Sequence, residues 1–406
     1  MQKLLKITQQ TFWQAVFKVV TTSGGFIILG IVSRKYGEEG LGSFTLALTY
    51  LAFFYVLADF GFNGYILGRL QKTNFSLEWR KLLGVRIVWG LFLTAAAALF
   101  PAIFVPNLVD FRLAVIVGLG TIFLNSLFFT AQALIQVKLK YEYATWPVFL
   151  SAPAGVLLIY YLSSRGMPVY FLTAGYVLSW LIYTGLAFLL LKRILKNSIP
   201  IFNKEYALNL FKESSPLAAT LILNVVYFRI DAFILSYYRN IADVGVYNLA
   251  YQVFQAILVL PTYIMNSFYP MMLETLNSKA ERFIPQIKLA AAGLLLFSLL
   301  LSLISYHLAP PIIKVITSTG FSGSATSLQI LSFGLPAYFT SALFMWVMVA
   351  KRFRSPLVLV YLAGLTFNVA ANLILIPKYS YIGASWITVI SEYLILGMQI
   401  VILLFE

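Results

Sequence analysis

The sequence has no cysteine and one histidine, His307. Disulfides, thiolate metal sites and His-based metal clusters therefore lie outside its chemistry. His307 sits near the outer end of an apolar run and reads as an interfacial or packed imidazole. There is no Walker-type phosphate loop and no G-x-S-x-G turn, so ATP-driven transport by this chain alone is not expected. Charge is scarce as well. Only 11% of residues are charged, roughly half the share found in a soluble domain. Acidic residues number 14 against 29 lysines and arginines.

What is abundant is hydrophobic sequence, 61% of the chain. Apolar runs of about 20 residues recur from end to end, each long enough to cross a bilayer as a helix. A membrane barrel would show short alternating segments instead. The expected class is an all-α polytopic membrane protein with twelve spans. These are 11–32, 41–66, 82–104, 112–135, 145–163, 169–191, 215–238, 244–269, 286–307, 327–350, 356–376 and 381–405. Residues Met1 to Gln10 are polar and the first apolar run is long enough to stay as an anchor, so no cleavable signal is expected. The expected division is an N-terminal six-helix bundle at 1–195, a cytoplasmic linker at 196–214 and a C-terminal bundle at 215–406, with Pro200 and Pro216 as punctuation.

Basic residues set the orientation. With the N-terminus inside, inner segments carry 20 of the 29 Lys and Arg and outer segments 7; Lys18 and Arg229 lie within spans. The inner stretch after the second span holds Arg69, Lys72, Arg80, Lys81 and Arg86. Both termini are expected in the cytoplasm of a bacterial or archaeal cell, with the chain in its cytoplasmic membrane. The net charge of +15 is then a topology signal plus attraction to anionic lipid heads. Its scatter over short loops argues against nucleic acid as a partner.

Within 244–269 the polar residues Asn248, Gln252, Gln255, Thr262 and Asn266 fall on one helical line. Lipid cannot satisfy such a stripe, so it is expected to face protein or a watery cavity. The chain has 406 residues, and an offset of half that number, 203, returns Thr45, Thr49, Ala52, Asp59 and Asn63. The same offset aligns Leu41-Gly-Ser-Phe-Thr-Leu-Ala with Val244-Gly-Val-Tyr-Asn-Leu-Ala, and Ser33 with Ser236. Six spans per half give two parallel repeats, for which a site at the interface of the halves is expected.

Other polar residues extend the pattern. Gln14, Lys18 and Thr21 share a face of the first span, continued by Gly25; Asn224 and Asp231 mark the equivalent face of the seventh. Polarity is thinner at Asn125, Gln132, Gln136, Asn368 and Asn372. Ionisable groups within spans are costly, roughly 2.5–3.5 kcal/mol each on insertion scales. Lys18 and Asp59 share a depth and are candidates to pair; Lys18 snorkelling to the interface is the plainer alternative. Arg229 and Asp231, two apart, point to different sides of their helix. Glu392, mid-span, reads as a structural polar contact.

Ser33-Arg34-Lys35-Tyr36-Gly37, Leu57-Ala58-Asp59-Phe60-Gly61-Phe62-Asn63, Arg229-Ile-Asp231-Ala-Phe-Ile-Leu-Ser236 and Asn372-Leu-Ile-Leu-Ile-Pro377 through Gly383 resemble segments of polysaccharide-biosynthesis oligosaccharide flippases. These are the Wzx type within the MOP/MATE-like superfamily. The resemblance implies a MATE-like V-shaped pair of six-helix bundles. It implies export of an undecaprenyl-pyrophosphate-linked oligosaccharide by alternating access, working with the bilayer and with other polysaccharide assembly proteins. No cofactor is implied; coupling to a proton or sodium gradient or to the membrane potential is an open alternative. Relatives place basic residues in the central cavity, and Lys18 and Arg229 are the positions that could serve. Gln252, Gln255 and Asn266 offer amides to sugar hydroxyls. A drug or organic-cation antiporter on the same fold is the first rival, resting on Asp59, Asp231 and Glu392. A membrane polysaccharide polymerase or ligase is the second, disfavoured by the short outer loops.

The topology is testable with reporter fusions. Fusions at Gly37, Gly166 and Gly320 should report outside and fusions at Asn74 and Asn203 inside; reversal at any two would overturn both the orientation and the repeat.

Overall fold

The structure, a computed structural model, describes residues 2–70, 75–99, 101, 108–195, 198–278, 280–317 and 320–405. Lys72, Asn74, Lys196, Lys279 and positions 102–104 of the third expected span lie outside the described residues. The first helix, α1 (Gln2–Asp59), has 58 residues. At 1.5 Å per residue it runs about 87 Å, nearly three hydrocarbon cores. It is two helices joined at Gly37, whose φ of 66° and ψ of −162° are outside the helical region and easiest for glycine. The break falls between the first two expected spans.

The chain continues with α2 (Phe62–Leu70), α3 (Phe75–Leu99), α4 (Val109–Gly118), α5 (Gly120–Lys138) and α6 (Glu142–Ser164). A 3-10 turn, Val169–Leu172, leads into α7 (Thr173–Leu191), then α8 (Lys204–Tyr238) and α9 (Ile241–Ile257). Last come α10 (Val259–Ser278), α11 (Ala280–Thr317), α12 (Ser322–Ser332), α13 (Leu335–Ala350) and α14 (Arg354–Phe405). Like α1, α14 is interrupted, at Ser380 (φ 51°, ψ −137°), between the last two expected spans. The left-handed backbone is costly for serine and is held from outside: Ser380 Oγ donates to the Asp243 carboxylate, which also pairs with Arg239 at 3.6 Å.

Among the described residues, nine helices are long and apolar enough to cross a membrane, or ten when α12 and α13, bent by 44°, count as one. The all-helical membrane class is therefore as expected. The third helix begins at Phe75 rather than 82. The eighth expected span is two helices meeting at Leu258. Pro261 has no N–H to give the Ile257 carbonyl, which is the physical reason for the interruption.

The chain forms two compact units, Met1–Arg229 and Ile230–Glu406. In the first, α6 packs along α7 and α1, and α3 along α5. Trp79 Nε1 donates to the Thr130 carbonyl at 2.9 Å, tying α3 to α5. In the second, α11 lies along α12 and α13, and α9 along α12 and α14.

The unit boundary falls inside α8, not in the expected 196–214 linker. Half of that linker is helix. Asn203 caps it, its side-chain oxygen accepting from the Tyr206 N–H at 2.7 Å. Tyr206, Ala207 and Leu210 bury one face in the core of the first unit, which also holds Trp79, Leu134 and Leu191. Phe211 adds edge contacts to Phe60, Phe62 and Trp89 at 4.9–5.0 Å. The preceding stretch is laid on α3. Arg80 Nε donates to the Ile199 carbonyl at 2.7 Å, and the Ile201 N–H donates to the Arg80 carbonyl at 3.0 Å. Gly84 permits this approach, since a Cβ there would stand 2.3 Å from the Ile201 oxygen.

Gly84→Val should therefore lift this stretch off α3. We expect a loss of about 1–3 kcal/mol, the usual range for overpacking, and faster proteolysis near Ile201. An unchanged melting midpoint and cleavage pattern in detergent would show that the packing is dispensable.

Candidate functional site

The 203-residue echo carries into three dimensions. Ser33 Oγ donates to the Gly30 carbonyl at 3.2 Å, and Ser236 Oγ to the Phe233 carbonyl at 2.8 Å, both one turn back. Leu41, Phe44, Leu46 and Ala47 are buried, as are Val244, Tyr247, Leu249 and Ala250. In the first unit Thr45 and Thr49 are buried and back-bonded to carbonyls four residues earlier, at 2.7 and 2.9 Å. Part of the expected polar line is thus satisfied by its own helix.

Asp59 does not pair with Lys18. Its partner is Arg86, at 3.3 Å. The guanidinium is fully buried in α3. Nη1 donates to the Ala58 carbonyl at 3.0 Å, and Nη2 to Asp59 Oδ1 at 3.3 Å and Asn63 Oδ1 at 2.8 Å. The rings of Phe62 and Phe129 flank it, with centroids at 5.3 and 5.4 Å. Next to it, Trp89 Nε1 donates to the Leu57 carbonyl at 2.8 Å. These bonds close a helix end. After Asp59 the chain turns through Phe60 (φ 46°) and Gly61 (φ 67°), so the last carbonyls of α1 lose their intrahelical donors. Arg86 and Trp89 supply replacements, and the carboxylate cancels the charge brought in to do so.

Lys18 and Gln14 are exposed, and Lys18 forms no ion pair among the described residues. Thr21 between them and Gly25 is spoken for: its hydroxyl bonds the Phe17 and Lys18 carbonyls at 2.9 and 3.1 Å.

In the second unit Asp231 is buried. It accepts from the Tyr247 hydroxyl, and its Oδ1 from the Ala232 N–H at 2.8 Å. Tyr247 lies 3.1 Å from Thr388 Oγ1, so one carboxylate joins α8, α9 and α14. One helical turn beyond Thr388, buried Glu392 accepts from Ser341 Oγ on α13. Asn372 donates to Asn368 at 3.0 Å and Asn368 to Ser391 at 3.1 Å. The structural-contact reading of Glu392 agrees with this placement. The expected stripe is graded by depth: Asn248 is buried, Gln252 and Gln255 half-buried, and Thr262 and Asn266 exposed beyond the Leu258 break. Asn224 is exposed and Arg229 half-buried.

The expected site residues therefore divide. Asp59, Asn63 and Asp231 are built into helix-to-helix bonds. Lys18, Gln14, Asn224, Gln252, Gln255 and Asn266 retain exposed or partly exposed polar groups. No group of three or more His, Asp or Glu side chains that could hold a metal occurs among the described residues. Sequence reasoning missed Arg86, Trp89, Tyr247 and Thr388. Arg86 carried a signal: it falls four residues inside the expected span 82–104, facing an Asp59/Asn63 pair at i, i+4.

A family model described as polysaccharide biosynthesis protein matches residues 7–276. No curated protein matches the chain in sequence. Among solved structures, the lipid II flippase MurJ in an inward closed conformation is similar at a TM-score of 0.80 and 15% identity, over 97% of this chain and 87% of that one. An inward-facing multidrug resistance MATE family transporter of the MOP superfamily gives 0.79 at 12% identity, over 95% and 93%. A mutant of the Vibrio cholerae MATE transporter VcmN gives 0.60 at 14%, over 98% and 99%. At such identities the likeness establishes the fold alone, one that a flippase and transporters share.

Removing one member of the Arg86–Asp59 pair should be worse than removing both. Arg86→Leu should cost about 3–5 kcal/mol by stranding Asp59. The double variant with Asp59→Leu should recover part of that loss, while Lys18→Gln should leave stability unchanged. Melting midpoints in detergent read all three; an Arg86→Leu protein as stable as the parent would refute the cap.

Proposed function

The chain belongs to the polysaccharide biosynthesis protein family, and on that premise we propose that it translocates an undecaprenyl-pyrophosphate-linked oligosaccharide from the inner to the outer leaflet of the cytoplasmic membrane. The observation that carries this reading is the family match over residues 7–276, joined to the fold of a lipid-linked substrate flippase. In this reading the chain works by alternating access with both termini in the cytoplasm. The ligand is an O-antigen, capsule or exopolysaccharide repeat unit.

The residues that keep polar groups exposed support it. A pyrophosphate needs cationic donors, and Lys18 is an exposed cation within the first expected span. A sugar chain needs amides, which Gln252, Gln255 and Asn266 offer. An inside-negative potential favours outward movement of the anion, by about 2.3 kcal/mol per charge per 100 mV. The antiporter reading has the MATE fold in its favour. It needs carboxylates available to a cation, whereas Asp59 is held by Arg86 and Asp231 by Tyr247.

The reading predicts that Lys18→Gln is made at normal level and fails to export glycan, while Lys18→Arg keeps part of the activity. Surface glycan staining at matched protein level checks it; normal glycan in Lys18→Gln cells would reject a role for this charge.

A further inference from the structure

In the second unit, the last turns of α11 and the first turns of α12 border an open cavity of about 340 Å³. That is about eleven times the share of one water in the liquid, enough for a small polar head group. Pro310, Lys314 and Thr317 line it on α11, and Ser322, Thr326 and Gln329 on one face of α12.

The charge here has one sign. Lys314 is exposed and forms no ion pair among the described residues. The sequence holds no Asp or Glu from 283 to 391. Phe321 offers the first turn of α12 no side-chain acceptor, and such a helix end favours an anion.

The polar groups divide into donors and acceptors. Pro310 has no N–H for the Tyr306 carbonyl. The Gln329 amide supplies one instead, Nε2 donating to that carbonyl at 3.3 Å, which leaves Oε1 as an acceptor. The Thr317 and Thr326 hydroxyls donate to the Ile313 and Ser322 carbonyls at 2.8 and 3.3 Å, so they too present lone pairs. Lys314 and the exposed Ser322 hydroxyl are the donors. A phosphate needs such donors, and hydroxyls on the same head group need such acceptors. An apolar track leads away from them. Leu299 and Leu303 are exposed and fall on the line of α11 that carries Pro310 and Lys314. Leu303 lies about 16 Å along the axis from Lys314, about one leaflet's depth in a core of about 30 Å.

We propose that this cavity seats the phosphoglycerol head of an anionic phospholipid. The phosphate accepts from Lys314 and Ser322, the glycerol hydroxyls donate to Thr326 and Gln329, and the acyl chains lie along Leu303 and Leu299. The lipid is a resident partner of the second unit, distinct from any cargo. Phosphatidylcholine fits poorly: its trimethylammonium finds no lining carboxylate, meets Lys314, and brings no hydroxyl to donate.

The test uses the purified full-length protein in detergent micelles and a phosphatidylglycerol carrying a diazirine near its glycerol backbone. Saturable labelling should map to peptides around Leu303–Thr317 and Ser322–Gln329. Lys314→Gln should lower that labelling roughly tenfold, the loss of one hydrogen bond to a charged group, at an unchanged melting midpoint. Lys314→Arg should keep most of it. Lys288→Gln, which removes an exposed charge near the other end of α11, should label these peptides like the parent. Equal labelling of Lys314→Gln and the parent would overturn the proposal; a lowered melting midpoint beside it would assign Lys314 to the α11 dipole instead. Competition by excess dioleoyl phosphatidylcholine as strong as that by dioleoyl phosphatidylglycerol would also overturn it, since the head group would then play no part. Competition by glycerol 3-phosphate as strong as that by the whole lipid would assign the cavity to a free phosphate and reject the lipid.

Discussion

A carbonyl, hydroxyl or charge inside hydrocarbon has no water to bond, and this chain is organised around satisfying such groups internally. Where the helix is regular, Thr45 and Thr49 return their hydroxyls to their own backbone. Where it breaks, another helix must intervene. The turn at Phe60–Gly61 frees the Leu57 and Ala58 carbonyls, and α3 answers with Trp89 and Arg86. The arginine brings a charge to a fully buried position, which requires Asp59 and Asn63 to face it. In the second unit Asp231 plays a comparable part with Tyr247 and Thr388.

This separates structural polarity from polarity left for a ligand. Lys18 would be an expensive residue if it only decorated a helix, and no counter-charge is built for it among the described residues. An exposed cation without a counter-charge suits an anionic head better than a drug cation. The family match points the same way.

Much of this was legible in the sequence. Apolar run length located the helices, and the half-chain echo located the paired openings of the two halves, down to Ser33 and Ser236. The breaks at Gly37 and Ser380 fall where the expected spans separate. What escaped was set by tertiary partnership. Arg86 looked like one more inner basic residue, because periodicity says where a charge lies on its own helix and not which helix end it reaches. Asp59 was a candidate partner for Lys18 on depth alone, and depth does not decide contact. Residues 204–214 read as linker because they are polar overall; Tyr206, Ala207 and Leu210 bury only one face, in the core of the first unit, and that burial extends the helix. The stripe on 244–269 was real in composition and divided in space by Pro261.

The most direct measurement is translocation itself. The purified chain would be reconstituted into sealed vesicles carrying a short glycan on undecaprenyl pyrophosphate in the inner leaflet, with a glycosidase added outside. The account predicts protein-dependent, potential-sensitive cleavage of the inner-leaflet pool. Vesicles in which that pool stays protected, while the same protein exchanges an organic cation for protons or sodium, would contradict it.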